Sequence, residues 1–400
     1  MSNSLLTIDM ITRKCLQILE NNLVVTRNVN RQYDDSFAKE GAKIGSTLRI
    51  RLPDRALVTD GAALQVQDDN EQYTTLTVSS QKHIGINFTS AELTMQLDDF
   101  AERVLKPRVS QLASSVDTDV CSVYKNLYNS VGTPGTTPAT SLVLLQAMQK
   151  LNETATPQGM RYGTVNPAAN ASLVEGMKGL FNPVSTISKQ FKSGLMGEGI
   201  LGFDEFSMSQ SLKNHTTGDW GTGITVTSTL STEGTTSLGI SFTGSSKTWK
   251  QGDVFTISGV YAVNPQTRES TGSLQQFVVT ADASGSSTAT LSVSPAIYTA
   301  SHALATVDSF PAASATVTML GSAATAYPQN LVYHKDAISF ASADLIMPQG
   351  VDMASRQVHN GISMRIVRQY DINNDRMPCR VDVLYGYGAI RPEIGCRLWG

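Results

Sequence analysis

Apolar residues between Ser90 and Tyr128 recur at intervals of three and four: Leu93, Leu97, Phe100, Val104, Leu112, Val116, Val120, Val123 and Leu127. Leu105 and Val109 bridge the one wide gap. This spacing puts the side chains on one face and predicts a single long helix. Thr89 with Glu92 supplies a capping box at its start, and Asp98 with Asp99 offers a second N-terminus. Pro107 lacks the N–H that an interior turn needs, which predicts a kink or break near Lys106. At about 1.5 Å per residue the stretch would run on the order of 60 Å, so the helix is expected to be a spine carrying separate lobes.

Upstream, Ile8, Ile11, Cys15, Ile18 and Leu19 fall at helical spacing over residues 7–22, and Asn21 and Asn22 mark the stop. The pattern turns extended from Val24 to Arg31 and breaks at Lys39-Glu40-Gly41. Leu48 to Leu52 then alternates strictly before Pro53, and further alternating runs cover Tyr73 to Ser79 and His83 to Phe88. Together these predict a long two-stranded ribbon over 46–88, with its tip around Asp60 to Asn70. A hairpin of that length buries little on one face and leaves strand edges exposed. It is either packed on its own domain or an arm stabilised only by a neighbouring subunit.

Past the break at Val131 to Gly135, residues 140–214 read as an α+β lobe: helix Ser141 to Thr154, strand Arg161 to Val165, helix Ala168 to Leu180. From Thr216 to about Thr325 the chain becomes rich in Ser, Thr, Gly and Ala, and its basic residues shrink to Lys247, Lys250 and Arg268. Six short β-type runs recur there, at 224–227, 238–242, 254–257, 277–280, 289–293 and 315–319, which predicts an inserted all-β barrel or sandwich. The α+β character returns after Tyr327, with strand-like Ile338 to Phe340 and a pair of strands at Met364 to Val367 and Val381 to Tyr385.

Composition narrows the function. Only 16% of the 400 residues are charged and the net charge is -3, so a strongly basic footprint for nucleic acid is absent. Near-neutrality suits a protein that sits beside copies of itself. Cys15, Cys121, Cys379 and Cys396 are scattered without a C-x-x-C pair and are expected to be buried free thiols in a reducing cytosol. Asp9, Arg13 and Lys14 interrupt the N-terminal apolar stretches, unlike a signal peptide. No apolar run approaches the roughly 18 residues of a membrane span. The expectation is a soluble protein made inside the cell.

Candidate chemistry is sparse. Gly197 to Gly202 matches a dinucleotide fingerprint as a string, but its flanks do not read as strand then helix, so a Gly-rich turn is expected. Gly244 to Thr248 lacks the first glycine of a phosphate loop and reads as a strand connection. The five histidines have no second ligand at helical spacing, and no G-x-S-x-G, H-E-x-x-H or Walker pattern occurs. No catalytic residue, cofactor or metal is expected. Arg49 and Arg51 share one strand face and could pair with carboxylates across an interface; a solvated face is the plainer alternative. With the ribbon carboxylates Asp60, Asp68, Asp69 and Glu71 they form the candidate assembly set.

Several strings then fall into one familiar order. They are Tyr33-Asp34-Asp35-Ser36-Phe37, Gly45 through Pro53, Leu97-Asp98-Asp99-Phe100, Gly202-Phe203-Asp204, His215-Thr216-Thr217-Gly218, Lys250 through Val260, Asn330 through Ala337, and Tyr387 through Glu393. In this order they resemble the major capsid proteins of tailed bacteriophages, of the Hong Kong 97-type fold, and more closely the short-tailed-phage coat proteins with an extra β domain. The resemblance covers essentially the whole chain. It implies an N-terminal arm (1–45), an extended E-loop (46–88), a peripheral domain with spine helix (89–139) and an axial domain (140–215 and 327–350). An inserted β-barrel (216–326) and peripheral C-terminal strands (351–400) complete it. It implies hexamers and pentamers of an icosahedral shell around double-stranded DNA, assembled in the bacterial host cytoplasm with a scaffolding protein and a portal ring, and in some cases a decoration protein. No membrane partner is implied. The ribbon has no lysine between Arg55 and Gln81, so the namesake's lysine–asparagine cross-link is not expected through it, and contacts would be noncovalent. No long charged helical prefix precedes residue 7, so a fused scaffolding region is not expected.

Two other classes remain open at this level. A carbohydrate- or surface-binding protein would use 216–326 as its module, with Trp249, Phe255 and Tyr261 clustered on an exposed face. An enzyme would need an acid–base or nucleophile constellation that the chain does not display.

Overall fold

The computed structural model describes residues 8–31, 47–56, 58, 61, 62, 64, 66, 71–89, 106–177 and 196–400. It divides into two compact units. One holds Met1–Ile50, Thr75–Cys121 and Ile338–Ile390; the other holds Arg51–Thr74, Ser122–Ala337 and Arg391–Gly400. The class is α+β.

The first unit is built on a sheet in the order Thr47–Arg51, Tyr73–Thr89, Arg376–Ala389, Ile362–Arg368, Met353–His359, and Ile338–Ala343 also pairs with Arg376–Ala389. The alternation at 364–367 and 381–385 is satisfied by an antiparallel ladder with Ile366 opposite Val381. Helix Ile8–Asn22 buries Thr12, Cys15, Leu16 and Leu19 and packs on strand Met353–His359. Helix Lys106–Cys121 buries Val109, Leu112, Val116 and Val120, as the three-and-four spacing requires.

Asp117 lies on that same buried face and is the polar exception. Its carboxylate accepts from the backbone N–H of Val24 (2.6 Å) and Thr26 (3.1 Å) and from the Thr26 hydroxyl (2.6 Å). The turn that follows the first helix is tied down by one side chain. Asp117→Ala strands three donors and is expected to cost about 3 kcal/mol, read as a lower denaturant midpoint at unchanged slope.

The spine helix corrects the sequence reading at its C-terminal end. The α-helix stops at Cys121, Ser122–Asn126 tightens to a 3-10 turn, and Asn129–Val131 is a strand. That strand joins Gly395–Leu398 in a parallel ladder, and a sheet ladder outcompetes two further helical turns. The N-terminal stretch 90–105 lies outside the described residues. Pro107 sits in the first turn of the described helix, where no backbone donor is needed.

In the second unit a mixed sheet runs Asn129–Val131, Gly395–Leu398, Leu331–His334, Arg161–Val165, Phe203–Met208, Gly197–Ile200. Helices Ser141–Glu153 and Pro167–Gly176 contribute Leu144, Leu151 and Leu173 to a core with Phe203, Phe206 and Val332. Gly197 to Gly202 is the outer part of an antiparallel hairpin, with Ile200 opposite Phe203; it opens no helix.

The same unit contains a second six-stranded sheet, in the order Val317–Met319, Val254–Val263, Ser270–Val279, Thr288–Ile297, Thr235–Thr243, Thr222–Val226. All six β-type runs expected from the sequence fall on it. Its two outer strands meet: Thr225 bridges Thr316, and Val226 N–H donates to the Ala315 carbonyl at 3.0 Å. Trp249, Phe255, Phe277 and Leu291 are fully buried inside. The short pair Lys247–Trp249 and Ala283–Gly285, too brief to show alternation, was not foreseen.

Of the four cysteines, Cys15, Cys121 and Cys396 are buried and Cys379 is half-buried. Burial pushes Cys15 and Cys396 up to about 12 and Cys379 to about 11, so none of these three is a thiolate near neutrality. A disulfide reagent at pH 8 is expected to react with the native chain at least about a hundred times more slowly than with the denatured chain. Rapid native labelling would contradict this packing.

Candidate assembly surface

The ribbon grows from the first unit's sheet. Along Thr47–Arg51 the alternation buries Ile50 and exposes Thr47, Arg49 and Arg51. Leu76 and Val78 are buried on strand Tyr73–Thr89. The ribbon's two strands run antiparallel, with Leu52 N–H donating to the Gln72 carbonyl at 2.8 Å. From Val78 to Thr89 the long strand exchanges its partner and pairs with Gly386 to Arg376. The handover is tight: a Cβ on Gly386 would lie 2.3 Å from the Thr77 carbonyl oxygen, so only glycine fits.

Of the two alternatives for the ribbon over 46–88, its inner half takes the first and packs on its own domain. The inner half of the long strand has a partner within its own chain, because Arg376–Ala389 is long enough to run alongside it. The root also packs at home. Arg55 lies 3.8 Å from Glu393, and Leu52, Pro53 and Gln72 form one wall of a cleft of about 190 Å3. The described tip residues are different. Val58, Leu64 and Val66 are 85%, 89% and 83% exposed. One such side chain would be ordinary, but three within nine residues are a concentration of unburied apolar surface.

Of the candidate set, Arg51 and Glu71 come together across the ribbon at 3.1 Å. Both are more than half exposed, so the pair contributes little stability. Arg49 is exposed on the same strand face. Asp60, Asp68 and Asp69 lie outside the described residues.

Sequence reasoning passed over a buried polar junction in the second unit. Asp253, on the turn that enters strand Val254–Val263, is fully buried. It accepts from His215 Nε2 (2.9 Å), Gly218 N–H (3.0 Å) and Lys250 N–H (2.8 Å). Arg397 donates to the Gly252 carbonyl at 2.7 Å and stacks 5.4 Å from the Tyr124 ring centre. Burial lowers this guanidinium to about 10, against the opposing pull of Tyr124 and Asp253. Gln276 reads both backbone groups of Ser130, at 2.7 and 3.0 Å. The signal was present: His215–Gly218 and Lys250–Val260 are two of the recognised strings, and they meet at one carboxylate.

The aromatic face needed by a carbohydrate module is absent among the described residues of 216–326. Trp249 and Phe255 are in the core, and Tyr261 alone of the three is exposed. No group of three metal-ligating side chains occurs among the described residues, and no described helix is long and apolar enough to cross a membrane.

Comparison with known proteins bears on what such a surface serves. A curated major capsid protein of Acyrthosiphon pisum secondary endosymbiont phage 1 is 21% identical, over 98% of this chain and 97% of that protein. Among solved structures, the capsid of Ralstonia phage GP4 matches 94% of this chain and 89% of its own, at 8% identity and a TM-score of 0.44. The CUS-3 coat protein I-domain is 30% identical over 25% of this chain and 96% of its own, with a TM-score of 0.20. The family model described as P22 coat protein, gene protein 5, matches residues 1–400, and the chain belongs to that family of bacteriophage capsid proteins.

Proposed function

We propose that this chain self-assembles into the hexamers and pentamers of an icosahedral shell enclosing double-stranded DNA, with the Hong Kong 97-type fold. The carrying observation is the ribbon: a root paired within its own chain, and Val58, Leu64 and Val66 near its tip left in solvent. Repeated burial of such modest patches holds a shell together without covalent links. The ribbon is the E-loop, helix Lys106–Cys121 belongs to the spine, and 140–215 with 327–350 form the axial domain. The sheet at 222–319 is the inserted barrel, a reading supported by the bridge between its outer strands. Residues 1–45 are an N-terminal arm and 351–400 return to the peripheral domain.

Arg49, Arg51, Asp60, Asp68, Asp69 and Glu71 are the proposed interface charges. A scaffolding protein and a portal ring assist assembly in the host cytoplasm, a decoration protein is a further candidate partner, and the role is structural rather than enzymatic. With no basic footprint, contacts to packaged DNA are weak and salt-dependent.

Negative-stain microscopy of the purified chain over a range of concentration and salt, with and without a scaffolding protein, tests the reading. Closed shells are expected. A chain that stays monomeric throughout would overturn it.

A further inference from the structure

A cleft beside the ribbon root is left unused by the proposed function. Its walls are mainly apolar, with Leu52, Pro53, Pro265, Pro295 and Ala296. Arg55, Lys150 and Arg391 supply three cations, against two carboxylates, Glu153 and Glu393. Each carboxylate already has a cation beside it: Lys150–Glu153 at 4.0 Å, and Glu393 between Arg391 at 3.0 Å and Arg55 at 3.8 Å. The surplus is positive.

The ribbon carries the complement. Between Ala56 and Ser80 the sequence has Asp60, Asp68, Asp69 and Glu71 and no lysine or arginine. Leu64 and Val66 stand out of that acidic loop into solvent. A cavity of about 150 Å3 admits a benzene-sized group, so a cleft of about 190 Å3 has room for a leucine or valine side chain. Val58, Leu64 and Val66 do not fill their own chain's cleft, since each is at least 83% exposed. A knob and a hole at different places on one subunit make a head-to-tail contact, which closes into rings when the rotation allows.

The geometry points to the cleft as the receptor for the ribbon tip of a second copy of this chain, with Leu64 or Val66 inserted and the acidic loop over the cationic rim. This rests on the coat-protein reading and adds the place where the arm lands. In an assembled ring each subunit would then give its tip to one neighbour and take the tip of the other.

The test pairs Leu64→Cys with Thr271→Cys, a half-buried cleft residue, in the full chain. The doubly substituted chain is assembled under reducing conditions, then oxidised. A ladder of disulfide-linked oligomers on a non-reducing gel is expected, with neither single variant giving one. Shells without linkage, or linkage within one chain only, would overturn the assignment while leaving the coat reading standing. If the unsubstituted chain forms no shells, the coat reading fails and takes this inference with it. Filling the cleft with Ala296→Trp is expected to cut shell yield at least about tenfold, equivalent to about 1.4 kcal/mol per contact, with the subunit's circular dichroism unchanged. Undiminished assembly of that variant would also count against the cleft.

Discussion

Deleting residues 60–70 is expected to leave a folded subunit that builds no shells. The cut lies beyond the Leu52–Gln72 hydrogen bond, so the ribbon root keeps its ladder and its cleft wall. The long strand keeps its pairing with Arg376–Ala389 from Val78 onward. The thermal midpoint should therefore shift by no more than about 3 °C, the equivalent of about 1 kcal/mol in a chain of this kind. What disappears is Leu64 and Val66, both exposed in the subunit, and three carboxylates of the candidate set. Truncating central interface side chains costs about 2 kcal/mol or more each, and a shell repeats the loss at every contact. Shell yield by sedimentation should fall by more than about a hundredfold. Normal particles from the deleted chain would refute the arm's role.

The largest effect on the subunit itself is expected from Asp382→Asn. Asp382 is fully buried in the first unit's sheet, with Arg365 Nη2 at 2.8 Å, Arg380 Nε at 2.6 Å and Gln81 Nε2 at 3.3 Å. Burial alone would raise this carboxyl. The hydrogen bonds from Arg365 and Arg380, with their charges, outweigh burial and hold it below the ordinary carboxylate value. Removing its charge leaves two guanidinium groups facing each other, one of them mostly buried. Breaking a buried pair costs about 3–5 kcal/mol; with Arg380 about half exposed, the lower end applies, lowering the midpoint by about 10 °C.

The pH dependence has a definite sign. A carboxyl depressed in the native state contributes fully above its unfolded value of about 3.9, and that contribution is lost as the pH falls through the native value. The wild-type midpoint should therefore drop steeply below about pH 4, and the Asp382→Asn chain should lack that part of the slope. Equal slopes in the two chains would remove Asp382 from the account.

Much of this architecture was legible because it follows simple periods. Val109, Leu112, Val116 and Val120 mark a buried helix face, and the apolar alternation of Val381, Val383 and Tyr385 marks a strand, although Asp382 on its other face is buried too. The six β runs of 222–319 stood out through their Ser/Thr/Gly-rich turns. The spine's last turns were misread because Leu127 and Tyr128 keep a helical spacing while the chain is captured by the distant strand Gly395–Leu398. A non-local ladder leaves no trace in a local window. The ribbon's partner was missed for the same reason: nothing near 78–89 announces Arg376–Ala389. Of the candidate site, the Arg51–Glu71 pair was within reach as two charges of one hairpin, whereas the cleft joins segments from Leu52 to Glu393 that only the fold brings together.

Backbone hydrogen exchange of residues 56–72, compared between free subunits and assembled shells, tests the central claim most directly. The tip is expected to exchange at least about a hundredfold more slowly in the shell, while Val78–Thr89, already paired in the free chain, changes little. A tip that exchanges equally fast in both states, or is already protected in the free subunit, would contradict the claim that a neighbouring copy completes it.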